Sequence, residues 1–205
     1  MNYFVTGIGT GVGKTVVSAV LVEALQADYW KPIQCGLPRD LEVVSSLVKN
    51  QSSNFHGEAY LLNEPASPHQ AAHNQGLILG INDISVPKTN NDLVIEGAGG
   101  IMVPINEQEF MLDLIKKLAD QVILVANLYL GSINHTLLSV DILQRHHIEI
   151  KGIVFNGHPN SHSESVILSY SRSVNLLHLP PDSLIDTEHI KKWAQILRKN
   201  LDLTC

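Results

Sequence analysis

A glycine-rich run ending in lysine and threonine, from Thr6 to Thr15, stands between the apolar stretch Tyr3-Phe4-Val5 and the helix-like segment from Val16 to Val22. Strand, loop and helix in that order make a phosphate cradle. Glycines let backbone N–H groups turn toward an anion, the new helix presents the positive end of its dipole, and Lys14 adds a mobile charge. Thr15 stands where such a loop offers a hydroxyl to Mg²⁺. The spacing departs from the common G-x-x-x-x-G-K-[ST] form: counting back from Gly13 puts Ile8 where the first glycine belongs, and Gly7 falls one residue early. The loop is a longer variant. A glycine-rich turn that merely caps a helix has similar composition, and the strand before it and the helix after it argue against that reading.

Beyond the loop, short apolar runs alternate with helical patterns, the order of a parallel sheet covered by helices on both faces. The clearest strands are Tyr3 to Thr6, Asp92 to Glu96, Gln121 to Ala126 and Gly152 to Asn156; weaker ones are Asp28 to Pro32, within Ala59 to Leu62, and Leu176 to Leu179. Helices are expected over about 14 to 26, 40 to 49, 110 to 119, 134 to 146, 163 to 172 and 187 to 200. At 205 residues, with 44% hydrophobic and 17% charged, the chain suits one α/β domain spanning 1–205 with a large core. A formal charge of -6 and scattered Lys and Arg argue against a nucleic-acid surface. No apolar run approaches the roughly 20 residues of a membrane span. Two cysteines, Cys35 and Cys205, imply no disulfide framework, and the expected compartment is the reducing cytoplasm.

In open parallel sheets ligands sit outside the carboxyl ends of the strands, so the residues following each apolar run are the site candidates. They are the glycine loop, Lys31 with Cys35, Glu96-Gly97-Ala98-Gly99-Gly100, Leu130 to Asn134, Asn156 and Pro180. Glu96 ends a buried strand in a carboxylate, the group a Mg²⁺-nucleotide site needs opposite its phosphate loop. Asp40 opens a helix, where a metal ligand and an N-cap are both open readings. Lys31, emerging just before Pro32, is placed to reach a γ-phosphate or an anionic substrate. His69 reads as a helix-start residue, and His146, His147, His158 and His162 as surface histidines without metal spacing. Cys35 has no evident histidine partner and reads as pocket lining.

Taken together, Tyr3-Phe4-Val5-Thr6-Gly7, Val12-Gly13-Lys14-Thr15, Lys31-Pro32-Ile33, Glu64-Pro65-Ala66-Ser67-Pro68-His69, Glu96 to Gly100 and Gly131-Ser132-Ile133-Asn134-His135 resemble, in order, the signature blocks of the dethiobiotin synthetase family. The resemblance spans nearly the whole chain, and the elongated phosphate loop is a trait of that family. It implies an α/β, P-loop NTPase-like three-layer fold with a mainly parallel sheet of about seven strands. It implies MgATP-dependent carboxylation of 7,8-diaminononanoate by CO₂ (bicarbonate) and ring closure to dethiobiotin, in a homodimer.

By the same resemblance, Lys31, Lys14 and Thr10 are the catalytic set, and Thr15, Asp40 and Glu96 hold Mg²⁺. The nucleotide is bound by Gly11, Val12, Gly13, Lys14, Thr15 and Val16, together with Asp40, Glu96, Gly97, Ala98, Gly99, Asn156, Leu179, Pro180 and Pro181. The substrate is bound by Cys35, Lys31, Gly131, Ser132, Ile133 and Asn134, in a site completed across the dimer. The chain departs from the family in having Gly9 and Gly11 where acids are frequent, and Cys35 where a Ser or Thr hydroxyl is usual. The aromatic residue that closes the site from the second subunit is not identifiable. Two other classes share parts of the pattern. Cobyrinic acid amidases carry an additional glutamine-hydrolysing domain for which this length leaves no room. Partitioning ATPases expect a second lysine early in the loop, and Gly7 to Gly11 contain none.

Overall fold

The computed structural model describes residues 1–181 and 184–201; Cys205 lies outside the described residues. In chain order the elements are β1 (Asn2–Gly7), α1 (Lys14–Leu25), β2 (Asp28–Trp30), β3 (Ile33–Cys35), α2 (Asp40–Leu47), β4 (Phe55–His56), β5 (Tyr60–Leu62), α3 (Pro68–Asn74), β6 (Leu93–Gly100), α4 (Met111–Leu118), β7 (Gln121–Asn127), α5 (Ser132–Arg145), β8 (Ile150–Asn156), α6 (Ser161–Ser171), β9 (Asn175–Leu179) and α7 (Thr187–Asn200). Seven strands form one sheet in the order β4-β2-β6-β1-β7-β8-β9, and every adjacent pair is parallel.

Strand alternation sends neighbouring side chains to opposite faces. Val5, Ile123 and Val154 pack with α1, α2 and α7 on one side. Phe4, Ile95 and Val122 pack with α4 on the other, where Leu124 and Phe155 meet α5 and α6. Near-continuous apolar runs such as Val122 to Ala126, all 0% exposed, are what a strand covered on both faces requires.

The structure corrects three expectations about the sheet. The strand expected over Asp28 to Pro32 ends at Trp30, because Pro32 has no N–H for the ladder and the chain restarts as β3 on a different partner. The strand expected within Ala59 to Leu62 exists, but pairs with β3 in a separate two-stranded sheet. The main sheet reaches seven strands through β4, only two residues long and too short for a periodic signal. The fifth helix also starts earlier than 134, at Ser132, with Gly131 as its cap at φ 104°.

Candidate active site

β1 ends at Gly7, and the loop that follows runs into α1 through Gly13, the helix cap, at φ 100°. Gly11 also has positive φ, 71°. An acid in that place would need the left-handed backbone that side chains disfavour, so this copy of the loop is shaped for glycine there. Lys14 folds back and donates from Nζ to the Gly9 carbonyl at 2.8 Å. Burial lowers its pKa to about 8, with Glu96 opposing.

A cleft of about 680 Å³ opens beside the loop, walled by Thr10, Gly11, Gly13, Lys14, Thr15 and Val16, by Lys31 and Cys35, and by Asp40, Glu96, Ala98 and Gly99. Glu96, 1% exposed, projects from β6 at its base. Its Oε1 accepts from the Thr15 hydroxyl at 3.0 Å and from Lys31 Nζ at 3.1 Å. Lys31 also donates to Asp40. Burial works against the ammonium, yet Glu96 and Asp40 outweigh it, and Lys31 lies above the ordinary lysine pKa. An ammonium thus sits among two carboxylates and a hydroxyl.

These are hard oxygen donors of the number that suits Mg²⁺, which typically takes one or two carboxylates and completes its shell with phosphate and water. The lysine charge occupying the middle of the donor set marks it as a place for a cation. The N-cap position of α2 is Arg39 rather than Asp40, and Asp40 makes no cap bond. Its backbone N–H instead meets Gln34 Oε1 at 3.2 Å.

Cys35 also faces the cleft, and burial raises its thiol to about 11. It is a neutral thiol at physiological pH and a poor nucleophile. Gly97 backs the strand closely: a Cβ there would stand 2.8 Å from Phe4. Asn156 donates from Nδ2 to the Val12 carbonyl at 3.0 Å, tying the end of β8 to the loop. Leu179 is opposite Asn156 in the β8–β9 ladder and is buried, while Pro180 and Pro181 are exposed just beyond it.

Not all expected site residues converge on this cleft. Gly131, Ser132, Ile133 and Asn134 line a separate cavity of about 690 Å³ with Leu128, His158 and Ser163. They lie at the carboxyl edge of the sheet, as strand order requires, but β7 carries them away from Lys31. His69 is exposed in the first turn of α3. Sequence reading missed Tyr29, whose hydroxyl donates to Glu96 Oε2 at 2.9 Å. The available signal was that Tyr29 stands two residues before Lys31, the spacing that puts both on one side of an extended chain.

The pKa of Lys14 carries a prediction. A bound phosphate favours the ammonium, so nucleotide affinity is full below about pH 8 and weakens as pH rises through the free-enzyme pKa, by up to about tenfold per pH unit. Calorimetric titration with ADP between about pH 7 and about pH 9.5 reads this. An affinity flat across that range contradicts it.

Solved structures with this architecture include a ParA family ATPase from Chlorobium tepidum, at TM-score 0.61 and 13% identity, with 98% of this chain and 96% of that one aligned. Another is the septum site-determining protein MinD with Mg-ADP from Pyrococcus horikoshii, at TM-score 0.58 and 15% identity, covering 99% and 96%. At such identities the likeness is one of fold. The sequence profile of a family described as an AAA domain matches residues 1–189. Among curated relatives, the ATP-dependent dethiobiotin synthetase of Cytophaga hutchinsonii is 49% identical over 97% of this chain and 98% of its own length. That of Christiangramia forsetii is 48% identical over 98% and 97%. With nearly the full length of both chains aligned and nearly half of the aligned positions identical, the chain belongs to the dethiobiotin synthetase family.

Proposed function

We infer that this protein is an ATP-dependent dethiobiotin synthetase, a ligase of biotin biosynthesis that joins CO₂ to both amines of 7,8-diaminononanoate, yielding dethiobiotin, ADP and phosphate. The observation that carries this reading is the meeting of two lysines with two carboxylates at the mouth of one phosphate loop. One amine attacks CO₂ and releases a proton, leaving a carbamate. A carbamate oxygen then attacks the γ-phosphorus as the bond to the ADP oxygen breaks, giving a carbamic–phosphoric anhydride. The second amine attacks the carbonyl carbon, phosphate departs, and the ring closes with loss of a proton.

Carbamate and phosphate are both anionic, so the chain's task is to hold them together against their repulsion. Lys14 turns from the Gly9 carbonyl toward the β- and γ-phosphates. Lys31 leaves its carboxylate partners and stands beside the carbamate, with Thr10 donating at the mouth of the loop. Thr15, Asp40 and Glu96 are the residues for Mg²⁺, which supplies charge neutralisation at the phosphate oxygens. Asn156, with Leu179, Pro180 and Pro181 beside it, receives the base of the nucleotide.

The substrate carboxylate is assigned to the N-terminus of α5, where Gly131 to Asn134 present backbone N–H groups and the helix dipole. The cavity there lies apart from the Lys31 cleft, and Met102, Tyr129, Leu130 and Leu138 are exposed apolar residues of this region. Both facts support a homodimer in which the α5 terminus of one copy serves the cleft of the other. In this reading residues 1–205 act as one catalytic domain, and a reducing cytoplasm suits its neutral Cys35 thiol. No helix among the described residues is long and apolar enough to cross a membrane.

The test is phosphate release from ATP with bicarbonate and 7,8-diaminononanoate supplied separately and together. Release is expected only with both, and release indifferent to the diamine overturns the reading in favour of a nucleotide-switch ATPase.

A further inference from the structure

The two oxygens of Glu96 have different surroundings. Oε1 faces the cleft, Thr15 and Lys31, whereas Oε2 is turned into the protein and accepts from the Tyr29 hydroxyl. Tyr29 is 0% exposed, so its hydroxyl has no water with which to exchange that bond. The register explains the meeting. Tyr29 stands opposite Val94 in the β2–β6 ladder, and Glu96 is two residues further along, hence on the same face.

The ring is fixed as well. It packs within the cluster under α1, with Val44 of α2 and with Phe55 at a centroid distance of 6.4 Å. Burial, and then the Glu96 charge, hold the phenol well above its ordinary pKa, so it is a donor throughout the neutral range. A carboxylate held at one oxygen by a rigid donor cannot rotate freely, and its other oxygen keeps a fixed direction. Lys31 and Thr15 do not supply this constraint, because both bind Oε1 and both are called on elsewhere once a nucleotide is bound.

We propose that Tyr29 is a positioning residue of the catalytic cleft, whose buried hydroxyl anchors Glu96 Oε2 and so presents Oε1 to the divalent cation that accompanies ATP. The proposal rests on the reading of Glu96 as a Mg²⁺ ligand. Partners one step removed from a metal commonly tune its affinity by about 10-fold to 100-fold. Tyr29 has one hydrogen bond to one ligand, which sets the expectation at the lower end.

The experiment compares Tyr29→Phe, which removes a single oxygen and keeps the ring, with Glu96→Gln. Mn²⁺ binding to the enzyme–ADP complex is read by electron paramagnetic resonance, metal-free ADP binding by calorimetry, and turnover against Mg²⁺ concentration. For Tyr29→Phe the Mn²⁺ dissociation constant and the Mg²⁺ half-saturation value should both rise by about 10-fold. Metal-free ADP binding should be unchanged, and kcat at saturating Mg²⁺ should stay within about twofold of the parent. Wild-type Mn²⁺ affinity in Tyr29→Phe alongside its loss in Glu96→Gln overturns the role of Tyr29 while leaving Glu96 as a ligand. Wild-type affinity in both overturns the Glu96 reading and this proposal with it. Parallel loss of metal-free ADP binding in Tyr29→Phe means general disruption of the cleft, and also overturns it. If Tyr29→Phe does not fold, 4-aminophenylalanine at position 29 keeps ring and donor and should retain parental Mn²⁺ affinity; a 10-fold loss there rejects the proposal.

Discussion

Lys31→Ala is expected to bind MgATP within a few-fold of the parent and to lose turnover by about 10²-fold to 10³-fold, the usual effect of deleting one preorganised charge at a reacting anion. The reason lies in what Lys31 touches. Its ammonium is paired with Glu96 and Asp40, whereas Lys14, folded onto the Gly9 carbonyl, is the group to which the proposed reading gives the anchoring of the nucleotide. On the proposed mechanism, removing Lys31 therefore subtracts little from nucleotide anchoring and a full charge from the point where carbamate meets phosphate. Single-turnover measurements at saturating ATP, beside calorimetric ATP binding, separate the two. Equal loss of affinity and rate sinks the assignment, because a residue that binds ground state and transition state alike changes affinity rather than the chemical step.

Lys31→Ala also leaves the Glu96 and Asp40 carboxylates side by side without their ammonium. In the nucleotide-free protein that favours a metal ion in the vacated place, so Lys31→Ala should bind Mn²⁺ more tightly than the parent when no nucleotide is present. In the proposed reading the lysine and the divalent cation compete for the oxygens of Glu96 and Asp40 that Lys31 now binds.

The second large effect is expected from Gly13→Ala. Gly13 has φ 100°, and a Cβ there would stand 2.5 Å from Asn156 Nδ2. The left-handed backbone costs an alanine about 1–2 kcal/mol. Displacing the Asn156 amide from the Val12 carbonyl adds about 1 kcal/mol. A total of about 2–3 kcal/mol is to be read in chemical denaturation, together with a loss of ADP affinity of about 10-fold or more, since Gly13 supplies backbone to the anion cradle. The double variant Gly13→Ala, Asn156→Ala relieves the collision but also lacks the Asn156 amide, so it should recover almost none of the loss, because both the left-handed backbone cost and the missing bond remain. Full recovery in the double variant would mean that the steric contact alone matters.

What the chain disclosed in advance follows how local each signal is. α1 and α7 were placed within about a residue, since one is bounded by its glycine cap and the other carries an amphipathic pattern with Asp186 capping Glu188 and His189. That the phosphate loop, Lys31 and Glu96 border one cleft was legible because they lie at or near the ends of strands that hydropathy reveals, and Asp40 because it opens a helix. β3 and β4 were not, being two or three residues long, and β5, although expected within Ala59 to Leu62, gave no sign that its partner is β3 rather than a strand of the main sheet. The separation of Gly131 to Asn134 from Lys31 was also hidden: knowing that both lie at strand ends does not give the distance across the sheet. Tyr29 was hidden because a tyrosine in an apolar strand reads as core until the register shows what its hydroxyl meets.

The position of β1 has a consequence for how the molecule comes apart. The strand that feeds the phosphate loop is the middle one of seven, with β6 on one side and β7 on the other. Local opening in proteins starts at short, sparsely packed edges and reaches central strands only near the free energy of global unfolding. Here β4, with two residues, and the separate β3–β5 pair form the outlying part; Cys35 is the last residue of β3, with Lys31 shortly before that strand and Asp40 shortly after it. The phosphate loop is thus tied to the last structure to be lost, and the part that the proposed reading gives to Lys31, Cys35 and Asp40 to the first. A partly opened molecule would still hold ATP while being unable to present it to a carbamate.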